Sequence, residues 1–123
     1  MVTGKWQLEP TTGFTAAHEW YSKKRPRELA AVLNNLSRYF AQLNSAKNAQ
    51  CVHAGYIHDE PKGIKAVDQK AGGGSLQETR LYVYPDDVKN ILYLITIGNK
   101  NEQSDDIKLA SRFVDSIKNT PPV

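Results

Sequence analysis

Hydrophobic and polar positions are most regular from Thr79 to Ile107, which reads TRLYVYPDDVKNILYLITIGNKNEQSDDI. From Arg80 to Tyr84 the residues alternate, with Arg80, Tyr82 and Tyr84 on one face and Leu81 and Val83 on the other, the pattern of a half-buried strand. Pro85 with Asp86 and Asp87 is expected to stop that strand, since proline donates no ladder hydrogen bond and aspartate favours turns. Ile91 to Ile97 (ILYLITI) is a continuous apolar run rich in β-branched residues and predicts a central strand covered on both faces. Together they form a hairpin that releases the chain at Lys100.

The flanking pattern supplies helices and weaker strands. Lys5 to Glu9 reads as a short strand ended by Pro10, and Phe14 to Tyr21 as a short helix capped by Thr11 or Thr12. Leu29, Leu33, Leu36, Phe40 and Leu43 form one apolar stripe at helical spacing, with Pro26 near the first turn, so this helix faces the core. Ile64 to Lys70 is a weak strand, followed by a loop at Gly72 to Ser75. Ser104 is the expected cap of a final helix: Asp105 and Asp106 suit its positive end, Ile107, Ala110, Val114 and Ile117 make its apolar stripe, and Thr120 to Val123 ends the fold. The predicted order is β-α-α-β-β-β-α, an α+β domain with a small, largely antiparallel sheet packed against helices.

Composition narrows the class. A chain of 123 residues, 40% hydrophobic, is expected to form a single domain over residues 1–123. Its single cysteine, Cys51, permits no internal disulfide or cysteine-based metal cluster, and His18, His53 and His58 have no ligand spacing, so no metal is expected. Gly72 to Gly74 lacks the Lys-Ser/Thr of a phosphate-binding loop, which argues against an ATPase. No cofactor is expected. The first ten residues have no apolar h-region and no run is long enough to span a bilayer, so a cytoplasmic protein without membrane contact is expected. The net charge of +3 is concentrated early: residues 1–50 hold seven Lys/Arg against three Asp/Glu. Lys23, Lys24, Arg25 and Arg27 cluster between the first two helices, as a solvated corner or a phosphate-tracking patch.

The element order, the arginine opening ETRLYVYP and the passage YLITIGNKNEQSDDI resemble the RelE/HigB superfamily of toxins from type II toxin–antitoxin systems, especially HigB-like members. The resemblance runs from about Trp6 to Ile117 and is distinctive from Arg80 to Asp105. It implies a RelE-like fold and an inhibiting cognate antitoxin, an amphipathic segment of which would cover the apolar and basic surface around the sheet. It also implies action on the ribosome and mRNA as an endoribonuclease (an mRNA interferase). A related branch instead poisons DNA gyrase, so a non-catalytic inhibitor of a protein target is an alternative. A small nucleic-acid-binding accessory protein of a mobile element is another.

Metal-free RNA cleavage needs a group to take the 2′-hydroxyl proton, cations for the phosphoryl oxygens and a donor for the leaving 5′-oxygen. Arg80 is the first candidate cation, because guanidinium grips phosphate in a fork and stays charged; it also has Glu78 nearby as a structural partner. Lys100 is the second, and the resemblance places both in the cleft. His58 is the candidate for proton transfer. Tyr82 and Tyr84 are candidates to stack on bases, or else pack on the sheet. Many relatives carry Lys-x-Lys-Leu-Arg or Glu-Leu-Arg on the second strand, where this chain has Ala66-Val67-Asp68. Asp68 is then a candidate base, with Lys65 or Lys70 offsetting its charge. A register shift of one residue would put Lys65 in the cleft instead.

Overall fold

The computed structural model describes residues 5–70 and 75–119; the expected glycine loop and the Thr120 to Val123 terminus fall largely or wholly outside them. Five strands, β1 (Gln7–Pro10), β2 (Ile57–Asp59), β3 (Lys65–Asp68), β4 (Thr79–Asp86) and β5 (Ile91–Asn99), form one open sheet in the order β1-β5-β4-β3-β2. Three helices, α1 (Thr12–Lys24), α2 (Pro26–Ser45) and α3 (Gln103–Lys118), complete an α+β fold. The sheet is mixed: β1 runs parallel to β5, and the other pairings are antiparallel. The central position belongs to β4, with β5 beside it and buried along nearly its whole length.

Local chemistry sets the boundaries. Thr11 caps α1, its Oγ1 accepting from the Phe14 N–H at 3.1 Å and donating to the Ile95 carbonyl at 2.9 Å, which also ties the helix start to β5. Arg25 is the single residue between α1 and α2, and Pro26 opens α2, where its missing N–H costs nothing. β4 continues through Pro85 to Asp86 instead of stopping there. This is possible because β3 begins at Lys65, opposite Val83, and leaves that side of β4 unpaired. Asn90 at φ 57° and an aspartate turn, in which Asp86 Oδ1 accepts from the Val88 and Lys89 N–H groups, make the reversal into β5. At the far end Asn99, not Ser104, is the cap: Asn99 and Glu102 exchange side-chain-to-backbone hydrogen bonds of 3.1 Å each. The chain therefore turns helical at Lys100, through a 3-10 turn that runs into α3.

Apolar packing covers both sheet faces. α1 and α2 lie on one face, where Phe14, Val32, Tyr39 and Leu43 meet Val67, Leu81 and Val83. The deepest side of α2 holds Val32, Asn35 and Tyr39, so Leu33 and Phe40 sit at the margin of its stripe. On the other face Ala110 and Val114 of α3 pack against Ile64, Ala66, Tyr82, Tyr93 and Ile95, with Ile107 and Ile117 partly buried beside them. The main contacts of α3 are with β4, β5 and the Pro61–Gly63 turn. Beyond Ala66, toward β2 and the end of β3, that face carries the polar side chains of His58 and Asp68. Among the described residues no helix is long and apolar enough to cross a membrane.

Candidate functional site

Register decides which side chains meet on that polar side. His58 pairs with Ala66, Ala66 with Tyr82, and Asp68 with Arg80, and residues opposite one another across an antiparallel ladder share a face. His58, Asp68, Arg80 and Tyr82 therefore lie on the α3 face, and Lys65, one residue out of phase, lies on the other. The shift that would have brought Lys65 into the cleft is not adopted. Its ammonium instead pairs with Asp59, a hydrogen bond that holds the Asp59 carboxyl below its usual range.

His58 and Asp68 form a direct pair, with Nε2 2.6 Å from Oδ2. Asp68 is held on every side. Its other oxygen accepts from the Lys70 N–H at 2.8 Å, its backbone N–H donates to the Tyr56 carbonyl at 2.9 Å, and its carbonyl accepts from Asn35 Nδ2 at 2.9 Å. Asn35 also donates to the Lys70 carbonyl at 2.9 Å. A buried amide of α2 on the opposite face thus fixes the end of β3. His58 is less enclosed, its side chain 29% exposed against 4% for Asp68. An ionised carboxylate only accepts, so it selects the tautomer with hydrogen on Nε2 and leaves Nδ1 as the free base.

Arg80 is clamped. Its Nη1 lies 3.5 Å from Glu60 Oε2 and its Nη2 3.5 Å from Glu78 Oε1, while Nε is buried without a partner among the described residues. A cavity of about 490 Å³ opens here, lined by Asp68, Gln69, Lys70, Leu76, Glu78 and Arg80. The Lys70 ammonium stands 3.8 Å from Asp68 Oδ2 and is largely exposed. Beyond Arg80, across the ladder at Gly98, a further carboxyl group sits over the sheet: a Cβ built on Gly98 would fall 1.7 Å from Asp106 Oδ2. Asp106 does not face solvent at the helix start. Burial, with Glu102 and Asp105 nearby, pushes its carboxyl up to about 6.

The other candidates separate from this group. Tyr82 is buried under α3 at 1% exposure and offers no ring to a base; burial raises its phenol well above the usual range. Tyr84 stacks on Tyr93 with ring centroids 6.5 Å apart and lies under the Lys118 ammonium, in a different cavity. Lys100 is exposed in the turn after β5 and lines a third cavity with Ser104, Ile107 and Lys108, one that Arg80 does not line. His58 lies within β2, a three-residue strand that the sequence pattern does not announce. Once that strand is recognised, period-2 alternation also puts Glu60 on the face of His58. Asn35 and Asp106 carry no such signal, one reading as a break in an apolar stripe and the other as a helix-start acid. Among the described residues no three His, Cys, Asp or Glu side chains are grouped to hold a metal ion.

No family model, curated protein or solved structure matches this chain.

Proposed function

We propose that this protein is a RelE/HigB-type toxin that cleaves mRNA on the ribosome by metal-free attack of a ribose 2′-hydroxyl, with the β2–β4 face as its site. The observation that carries this reading is the His58–Asp68 pair at 2.6 Å on the face of Arg80. His58 Nδ1 takes the 2′-hydroxyl proton as the 2′-oxygen bonds to phosphorus, and Asp68 stabilises the imidazolium that forms. The P–O5′ bond breaks, the 5′-oxygen takes a proton from water, and a 2′,3′-cyclic phosphate remains. Arg80, with the exposed Lys70 beside it, faces the charge that grows on the phosphoryl oxygens. The same reading implies a cognate antitoxin, with ribosome and mRNA as partners in the cytoplasm.

A non-catalytic inhibitor of a protein such as DNA gyrase is the second reading. It is favoured by Glu60 and Glu78, which already engage the guanidinium that a phosphate would need. Induction in bacteria separates the two. Growth arrest with mRNA cut inside translating ribosomes supports the first, and arrest with intact mRNA supports the second. Normal growth at full soluble expression removes both.

A further inference from the structure

The corner between α1 and α2 carries Lys23, Lys24, Arg25 and Arg27, all exposed. Lys23 is matched by Glu19 at 3.3 Å, whereas Lys24, Arg25 and Arg27 have no carboxylate partner among the described residues. Arg25 Nη1 donates to the Lys24 carbonyl at 3.4 Å. One helical turn before Lys24 stands Trp20, 50% exposed, with its ring edge-on to Tyr21 at 5.0 Å. Beside it a groove of about 350 Å³ runs between α1 and the end of β5. The other tryptophan, Trp6, is in the core.

This corner adjoins the Arg80 cavity. Glu28, in the first turn of α2, accepts a hydrogen bond from the Gln77 N–H at 3.1 Å, and Leu76 and Glu78 on either side of Gln77 line that cavity. The Gln77 hydrogen bond, with help from the nearby Arg25 and Arg27 charges, holds the Glu28 carboxyl below its usual range. The cations therefore begin at the rim of the cavity and lead to an exposed aromatic ring.

We propose that this corner is a second contact for the same single-stranded RNA: with the scissile nucleotide in the Arg80 cavity, flanking phosphates run over Arg27, Arg25 and Lys24 and a base stacks on Trp20. The proposal rests on the RNA-cleaving reading above. Unpaired cations in series match a phosphate backbone, and an indole face takes any base.

The test is a fluorescence titration of the full-length protein with a short single-stranded oligouridine over a range of salt concentrations, without ribosomes. RNA should quench Trp20. Removing three phosphate contacts in the triple variant Lys24→Gln, Arg25→Gln, Arg27→Gln should flatten the plot of log affinity against log salt by about 2. Trp20→Ala should weaken binding roughly tenfold, the scale of one lost base stack. Lys23→Gln, whose charge is already matched, should change the slope least, and melting temperatures serve as the control for folding. Absence of binding, or the wild-type slope in the folded triple variant, overturns the proposal. So does equal affinity for polyglutamate of matched charge, which would assign the corner to an acidic polypeptide. RNA binding with these dependences but no cleavage on ribosomes would support the RNA track and remove the cleavage reading alone.

Discussion

Asp68 and Arg80 stand directly opposite one another on β3 and β4, yet each takes its ionic partners elsewhere: Asp68 pairs with His58 and Lys70, and Arg80 with Glu60 and Glu78. The arrangement keeps a fixed carboxylate for the imidazole and holds the guanidinium between a nearly buried Glu60 and a more exposed Glu78. Glu78, 40% exposed at the cavity rim, is the partner that a phosphate would displace.

Asp68→Asn tests the role of the fixed carboxylate. An amide in the place of the carboxylate no longer selects the Nε2–H tautomer, so cleavage should fall by roughly 10²-fold or more, the ordinary scale of a positioned acid–base group. The backbone bonds to Tyr56 and Asn35 remain, and melting should change little by comparison. A large loss of melting temperature with full activity per folded molecule would show that Asp68 is structural only.

Asn35→Leu should be costly although the site is on the other face. It leaves the Asp68 and Lys70 carbonyls without their 2.9 Å donor, and a buried group left unsatisfied costs about 1–3 kcal/mol. Urea unfolding gives the value. A change within a few tenths would mean that the end of β3 is held by the sheet alone.

Asp106 predicts a pH dependence of opposite sign to that of an ordinary salt-bridged carboxylate. Its folded pKa of about 6 lies above the 3.8 of the free group, so the native state holds the proton more tightly. Its contribution is complete below pH 3.8 and is lost as pH rises through about 6. Glu28 and Asp59, both lowered, pull the other way, so the informative quantity is the difference between Asp106→Asn and wild type at each pH. The variant should be the more stable at pH 7, by on the order of 1–2 kcal/mol once the lost helix-end charge is allowed for, and the gain should vanish near pH 4. A pH-independent difference would contradict the burial of that carboxyl.

Gly98→Ala bears on the same contact from the other strand. The new methyl group would occupy the space of the Asp106 carboxyl and push it toward solvent, so the raised pKa of that carboxyl should fall back toward the usual range. The substitution should also be markedly non-additive with Asp106→Ala in a double-mutant cycle. Additive effects would place the two residues out of contact.

The hairpin, the two long helices and the α+β class were legible because each rests on a period that a single segment displays. The apolar run of β5 and the stripe of α3 needed no neighbours to be recognised. The site was legible only as a set of residue types. His58 and Asp68 were each candidates, but their contact depends on β2, three residues long and too short to show a period, and on the pairing of β2 with β3. Tyr82 shared the correct face with Arg80, yet alternation cannot tell which part of a face a helix will cover, and α3 covers Tyr82 while leaving Arg80 at its edge. Lys100 reads as a cleft residue only through the resemblance; the Asn99–Glu102 capping box turns that segment helical, and Lys100 lines a different cavity.

The most direct measurement is cleavage of a defined mRNA in a purified translation system, comparing wild type with His58→Gln and Arg80→Gln, with thermal melting of each as the control for folding. Wild type should make discrete cuts in translated mRNA, and each variant should lose roughly 10²-fold or more, because one substitution removes the base and the other the cation at the developing charge. Full cleavage by a well-folded His58→Gln protein would show that the His58–Asp68 pair is not the site of the reaction.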